Sequence, residues 1–184
     1  MSWPIRNTDK HYGLIAQFFH WAVVIGIVLQ FVWAWRIDES ESIRQQFVLV
    51  NQHKSIGITI LGLVILRLLW RSFNRPPPYP GHMKRWERLA AGTTHWGLYG
   101  LILAMPLSGW AYTAAAGYGP EFFGLIEIPA MFPVDENLED LMEDVHETLA
   151  KLLIGLAGLH VLAALRHHFI IKDNVLKRMT GFWS

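Results

Sequence analysis

The chain has 184 residues, of which 52% are hydrophobic and 13% aromatic, and its formal net charge is +1. Its charged fraction of 17% is below the roughly 25% of an ordinary soluble domain, which favours a membrane protein. The near-zero charge indicates no nucleic-acid partner. The lack of cysteine excludes thiolate metal sites, iron–sulfur clusters, disulfides and covalently attached haem, which leaves the nine histidines as candidate metal ligands.

Four apolar segments follow one another along the chain, each near the length of about 20 residues that a bilayer-crossing helix needs. The predicted fold is an all-α integral membrane four-helix bundle, formed by one domain over residues 1–184. The fourth helix is expected to begin outside the membrane, with Asp135 as its N-cap after Pro133. The predicted helices lie at roughly 12–36, 53–72, 92–116 and 136–171.

Basic residues concentrate on the side of the predicted bundle that holds both termini. The other side carries a run of acidic residues, and no Lys or Arg occurs between Arg88 and Lys151. The positive-inside rule therefore predicts that both termini are cytoplasmic and that the protein crosses the membrane several times. The acidic run comprises Asp135, Glu136, Glu139, Asp140, Glu143 and Asp144.

One stripe of the fourth helix carries most of its histidines. His146, Leu153, His160 and His167 recur every seven residues, which is nearly two helical turns, so they share one face. His146 and His160 are separated by about 21 Å along the axis. In a hydrocarbon core roughly 30 Å thick, this spacing places the two histidines near opposite membrane faces.

Each of these histidines has a potential partner at its own depth. The second helix enters from outside, so His53 lies level with His146, and we call these two the outer pair. The first helix enters from the cytoplasm, so His20 lies near the level of His160, and these two form the inner pair. Ionisable groups within a membrane usually serve a function. Two facing imidazoles are suitable axial ligands for haem iron, and the pattern predicts two b-type haems.

Two further residues of the second helix fit this prediction. Gly57 lies one turn beyond His53, where a missing side chain lets a porphyrin approach. Arg67 lies 14 residues after His53, on the same face and at the depth of the inner pair. A buried arginine needs an anion, which a haem propionate supplies through a charge-assisted hydrogen bond.

Several alternatives compete with this interpretation. A zinc or copper site requires three or four ligands at one depth, whereas these histidines form two separated pairs. His95, at the inner side of the third helix, competes with His20 for the inner site. His167 and His168 lie at the interface, where they can contact propionates, quinone or headgroups. His11 and His82 are interpreted as surface residues.

The chain resembles the bacterial cytochrome b561 family of di-haem membrane cytochromes over nearly its whole length. The resemblance implies His20, His53, His146 and His160 as iron ligands, and it gives the position of His95 no ligand role. Its motifs are Phe19–His20–Trp21, His53-x-x-x-Gly57 with Arg67, His95 with Met105–Pro106–Leu107-x-Gly109, His146–Glu147–Thr148–Leu149–Ala150, Gly158–Leu159–His160, His167–His168 and Lys172–Asp173–Asn174-x-Leu176-x-Arg178–Met179.

The resemblance also implies a location in the bacterial inner membrane and electron transfer between a donor and membrane quinone. One activity in the family is the oxidation of superoxide, with electrons passed through the haems to ubiquinone. The acidic outer side disfavours long-range attraction of the superoxide anion unless Lys54 or Lys151 forms a local positive funnel. One alternative is a haem relay for a periplasmic redox protein, and another is a haem-free membrane scaffold or transporter with a histidine relay.

Overall fold

The structure is a computed structural model that describes residues 4–119, 121–130 and 132–181. It is mostly helical, and a short antiparallel hairpin lies between the third and fourth long helices. A π-helical turn (His167–Ile171) continues the fourth long helix, and the short helix α5 (Lys177–Thr180) follows it. The remaining elements are α1 (Leu14–Asp38), α2 (Ile43–Phe73), α3 (Arg85–Ala115), β1 (Glu121–Phe122), β2 (Ile126–Glu127) and α4 (Glu136–Arg166).

Side-chain hydrogen bonds cap the starts of α2, α3 and α4. The Asp135 carboxylate accepts a hydrogen bond of 3.0 Å from the backbone N–H of Leu138, so the predicted N-cap of α4 is confirmed. The carboxylate of Glu87 accepts one of 2.9 Å from the backbone N–H of Lys84 at the start of α3. Ser42 caps α2, which therefore begins at Ile43, well before His53.

One cluster of buried side chains joins the four long helices. Packing runs in chain order, with α1 against α2, α2 against α3, and α3 against α4. Leu153 of α4 is only 4% exposed, which shows that the stripe carrying His146 and His160 faces inward. The cluster consists of Val23, Ile60, Val64, Tyr99, Ile102 and Leu153.

The outer surface of the helices is strongly apolar. Large side chains such as Phe18, Leu66, Leu152, Leu162 and Phe169 are exposed, which a membrane accommodates and water does not. Among the described residues, α1, α2 and the segment Glu136–Ile171 are long and apolar enough to cross a bilayer. The α3 helix falls short of that standard because glycine, tryptophan, tyrosine and Pro106 interrupt its aliphatic residues.

The hairpin is attached to α2 through one buried serine. The hydroxyl of Ser55 accepts a hydrogen bond of 2.8 Å from the backbone N–H of Phe123, and it lies 3.1 Å from the carbonyl oxygen of Glu121. Ser55 is fully buried and lies two residues after His53. The loop between α3 and α4 is therefore held next to the outer pair.

Candidate functional site

The outer pair lies between α2 and α4. The ring centroids of His53 and His146 are 6.4 Å apart, and the ring planes meet at 71°. Both side chains are half-buried. The two imidazoles therefore approach each other without being in contact.

The inner pair has the same geometry at the other end of the bundle. The centroids of His20 on α1 and His160 on α4 are also 6.4 Å apart, with an interplanar angle of 71°. His95 of α3 lies closer, with its ring centroid 5.3 Å from that of His160. Three imidazoles therefore meet at this end of the molecule.

The spacing within each pair fits a metal ion held between two imidazoles. The distance between the centroids of two imidazoles on opposite sides of a metal ion is the sum of two nitrogen–metal bonds of about 2.0–2.1 Å and the two distances from ring centroid to ligating nitrogen. That sum is close to the distance seen in each pair. The 5.3 Å separation of His95 and His160 is too short for the same arrangement. In the described part of the chain, no group of three potential ligands for zinc or copper includes a member of either pair. The geometry thus fits two-imidazole ligation of haem better than a zinc site.

Unpaired nitrogen atoms give a second test of the fit. Among the described residues, Nδ1 of His20 and Nδ1 of His53 are buried without a hydrogen-bond partner. An unpaired polar group in the interior is costly, and no hydrogen bond within the described protein accounts for the burial of these two imidazoles. No described hydrogen bond engages either nitrogen of these two rings, so both rings are available to bind a metal ion, and the residues present therefore fit haem.

The ring of His146 is oriented by a hydroxyl group. Ser108 Oγ donates a hydrogen bond of 2.9 Å to the carbonyl oxygen of Met105, and it lies 2.9 Å from Nδ1 of His146. Because the hydroxyl proton is already engaged, Nδ1 is the donor in the second contact. The Nε2 atom of His146 is then unprotonated and available as a ligand.

Two glycines bring helices close to the outer pair. A Cβ atom on Gly109 would lie 3.1 Å from the ring of His146, so α3 can approach this ring only through a glycine. A Cβ on Gly57 would lie 2.9 Å from Nε2 of Gln30. The space that we predicted for a porphyrin at Gly57 is therefore covered by the side chain of Gln30.

Arg67 lines a small cavity at the end of α2 that lies nearer the inner pair. Its guanidinium lies 5.4 Å from the ring centroid of Tyr99, and the guanidinium of Arg71 lies 5.8 Å from the same centroid. Tyr12 and Trp70 also line the cavity, and none of the described lining residues is acidic. Within the described residues, neither arginine has a carboxylate at ion-pair distance. The cavity therefore presents two positive charges that no described carboxylate balances.

His167 and His168 occupy different surroundings. Nδ1 of His167 lies 2.6 Å from Oδ2 of Asp173, and Nε2 of His82 lies 3.0 Å from the same oxygen. Only Nε2 of His167 is left for a propionate or quinone. Nδ1 of His168 is buried without a hydrogen-bond partner in the described structure. His82, interpreted from the sequence as a surface residue, is exposed but contacts Asp173.

Sequence reasoning missed the residues that support the histidines. It assigned no site role to either Ser108 or Arg71. Ser108 and Gly109 lie within the sequence Pro106–Leu107–Ser108–Gly109, directly after the proline inside α3. Arg71 follows Arg67 by four residues, a helical spacing that could have indicated a second cation on the same face.

The chain is similar in sequence to several known proteins. The chain is 35% identical over 177 residues to cytochrome b561 homolog 2 of Escherichia coli (strain K12), which covers 95% of this chain and 94% of that protein. It is 32% identical over 174 residues to the probable superoxide oxidase CybB of Yersinia pestis, covering 92% and 96% of the two chains. Cytochrome b561 homolog 1 of Escherichia coli (strain K12) is 35% identical over 127 residues, or 69% of this chain and 72% of that protein.

The family model described as prokaryotic cytochrome b561 matches residues 11–182, which include all the histidines of both pairs. The matched range also contains every long helix described above. The chain therefore belongs to the prokaryotic cytochrome b561 family, whose members are membrane proteins that transport electrons through haem b.

Proposed function

We propose that the chain binds two haem b groups, one at the outer pair and one at the inner pair. The observation that carries this proposal is the repeated geometry of the pairs, with equal centroid distances of 6.4 Å and equal angles of 71°. When bound between two imidazoles, haem supplies reversible one-electron transfer and leaves iron no open position for oxygen. His53, His146, His20 and His160 hold the two groups in place. His95 packs against His160 without acting as a ligand.

The inner cavity provides the contacts for haem propionates. Arg67 and Arg71 line it together, and charge-assisted hydrogen bonds from guanidinium groups to carboxylates are strong. The indole nitrogen of Trp70 is buried there without a described partner and can donate to the same anion. Nε2 of His167 is a further candidate contact, since its Nδ1 atom is held by Asp173.

In the proposed membrane arrangement, α1 to α4 all cross a bacterial inner membrane as one domain over residues 1–184. Both termini and the α2–α3 connector then lie in the cytoplasm, and the hairpin and the start of α4 lie outside. The exposed apolar belt on these helices supports a lipid environment. The shared core supports α3 as a spanning helix, because it contributes Tyr99 and Ile102 to the cluster that joins α1, α2 and α4.

The proposed reaction moves electrons from an outer donor to ubiquinone. Oxidation of two superoxide anions releases two oxygen molecules and two electrons. Reduction of one ubiquinone to its quinol consumes those electrons together with two protons. The similarity to a probable superoxide oxidase supports superoxide as the donor.

A second candidate donor is a basic periplasmic redox protein. The start of α4 carries an exposed acidic surface formed by Glu136, Asp140, Glu143 and Asp144. Lys151, which could attract an anion, lies 3.2 Å from the carboxylate of Glu147 and is partly neutralised by it. This surface complements a positively charged protein better than it attracts superoxide.

One experiment with purified protein separates these functions. Superoxide should reduce the haem-loaded protein, and added ubiquinone should then reoxidise it, as followed by the absorbance of reduced b-type haem. His53→Ala should abolish reduction, whereas His11→Ala, outside both pairs, should not alter it. If a reduced basic cytochrome reduces the haems but superoxide does not, the result favours the relay. Protein without a reduced b-type band would instead be a haem-free scaffold or transporter.

A further inference from the structure

A second cluster of metal-ligating side chains lies apart from both histidine pairs. His82 comes from the α2–α3 connector, and His167 and Asp173 come from the end of α4 and the turn after it. Oδ2 of Asp173 lies 3.0 Å from Nε2 of His82 and 2.6 Å from Nδ1 of His167. One potential ligand atom from each residue lies within 4.8 Å of the other two.

The backbone builds this cluster in a specific way. The α4 helix changes to π-helical geometry at His167, and such turns are frequent at functional sites. Lys172 then adopts a left-handed conformation with φ of 59°, which turns the chain back so that the N–H of Asp173 donates to the carbonyl of His167. A lysine in this conformation is uncommon, because the left-handed region is sterically unfavourable for residues that carry a Cβ atom.

The carboxylate of Asp173 is oriented by its other oxygen. Oδ1 accepts a hydrogen bond of 3.0 Å from the backbone N–H of Val175, which aims Oδ2 at the two imidazoles. Burial acts to raise the pKa of Asp173, but the hydrogen bonds from Val175 and His167 outweigh it and hold that pKa below its ordinary value. The group is therefore an anionic ligand whose remaining oxygen is already satisfied, as carboxylate ligands of metal sites usually are.

We propose that His82, His167 and Asp173 bind one divalent transition-metal ion of the Zn²⁺ class. Two imidazoles and one carboxylate form a ligand set of the kind that zinc takes when a fourth position is filled by water. The side chain of His82 is 52% exposed, so an ion can enter from solvent, whereas the other two side chains are 11% and 10% exposed and hold it in place. Binding displaces the protons that the imidazoles share with Asp173.

The bound ion would tie the α2–α3 connector to the end of α4. His82 and Asp173 are 91 residues apart in the chain, so their joint ligation crosslinks two segments that flank the inner end of the bundle. The site does not involve His20, His95 or His160, and its occupancy can be measured independently of the haems.

The test uses full-length, haem-loaded protein in detergent, stripped of loosely bound metal by a chelator. Zn²⁺ is titrated by calorimetry, and the retained zinc is counted by elemental analysis after dialysis. The expected result is one saturable zinc per chain. His82→Ala and Asp173→Asn should each weaken binding by about 10-fold or more, the loss that even outer-shell partners of metal sites produce. X-ray absorption at the zinc edge should show two imidazoles.

Two controls separate loss of the zinc site from a general loss of folding. His11→Ala removes a histidine outside the cluster and should leave zinc binding unchanged. Each variant is first checked for unchanged haem content, and His82→Ala tests the site with an exposed residue whose loss leaves the core intact. No saturable zinc, or equal affinity in His82→Ala, Asp173→Asn and the unaltered protein, overturns the proposal and identifies the cluster as a hydrogen-bonded triad only.

Discussion

Ser108 Oγ lies 2.9 Å from Nδ1 of His146, and its own proton goes to the carbonyl of Met105. The hydroxyl therefore orients the one ring of the outer pair that α4 supplies. Outer-shell hydrogen bonds of this kind fix the tautomer and raise the basicity of a metal-ligating histidine. The contact makes Ser108 a positioning residue for the proposed outer haem.

We expect Ser108→Ala to weaken retention of the outer haem by about 10–100-fold and to change its midpoint potential. Potentiometric titration with optical detection measures both haems separately. The inner haem should keep its potential, and Ser108→Thr should restore the outer one because it retains a hydroxyl. Unchanged potentials in Ser108→Ala would show that the hydroxyl does not tune the site.

Gly109 and Gly100 give a matched pair of substitutions on α3. A Cβ on Gly109 would lie 3.1 Å from the ring of His146, whereas nothing described lies within 4 Å of a Cβ on Gly100. Gly109→Ala must displace the ring, and crowding of this kind costs about 1–3 kcal/mol. We expect loss of outer haem and a shifted low-spin electron paramagnetic resonance signal in Gly109→Ala. Equal spectra for the two variants would contradict the tight approach of α3 to His146.

Single histidine variants test the assignment of the pairs. His53→Ala and His146→Ala each leave the same iron with one protein ligand, so both should disturb one low-spin signal. His20→Ala and His160→Ala should disturb the other, because about 21 Å of helix separates the two levels of α4. Electron paramagnetic resonance with a pyridine haemochrome count, near two haems in the unaltered protein, provides the measurement.

His95→Ala is the control for the inner pair. Its ring is closer to His160 than that of His20 is, so a general disturbance of packing should affect both variants alike. We expect His95→Ala to keep the inner low-spin signal. Loss of that signal in His95→Ala, but not in His20→Ala, would reassign the inner ligand to α3.

Reporter fusions test whether α3 crosses the membrane. A reporter active only outside the cytoplasm should be inactive when fused after Gly81, active after Gly124, and inactive at the C-terminus. If only α1, α2 and α4 crossed, the fusion after Gly124 would be inactive and the C-terminal fusion active. The two arrangements therefore give opposite results at two positions.

The sequence predicted the features that depend on helical periodicity. The inward stripe of α4 and the Asp135 cap appear in the structure because residue spacing along a helix determines its faces. Apolar patterning could not reveal the early start of α2 at Ile43, since polar residues at 44–46 and 51–52 interrupt the apolar residues of those first turns. It also could not reveal the hairpin, because strands of two residues show no alternation.

The contacts that support the histidines depend on which neighbour each helix meets. Ser108 reaches His146 across the α3–α4 interface, and no single-sequence pattern specifies that register. The same holds for His82 and Asp173, which the chain separates by 91 residues. Their juxtaposition results from the way in which the connector folds against the end of α4.

The attachment of the hairpin to Ser55 allows related proteins to differ in the electron donor that they accept. The loop between α3 and α4 is joined to α2 through Ser55 Oγ, which accepts a hydrogen bond from the N–H of Phe123 and contacts the carbonyl oxygen of Glu121. Because these contacts use backbone atoms of the loop, its side chains are free to vary without loss of that anchor. A different loop sequence can therefore present a different charge or shape beside His53 while the iron-binding framework stays constant. Replacing residues 121–127 by the corresponding residues of a relative would then transfer the donor preference of that relative to this protein.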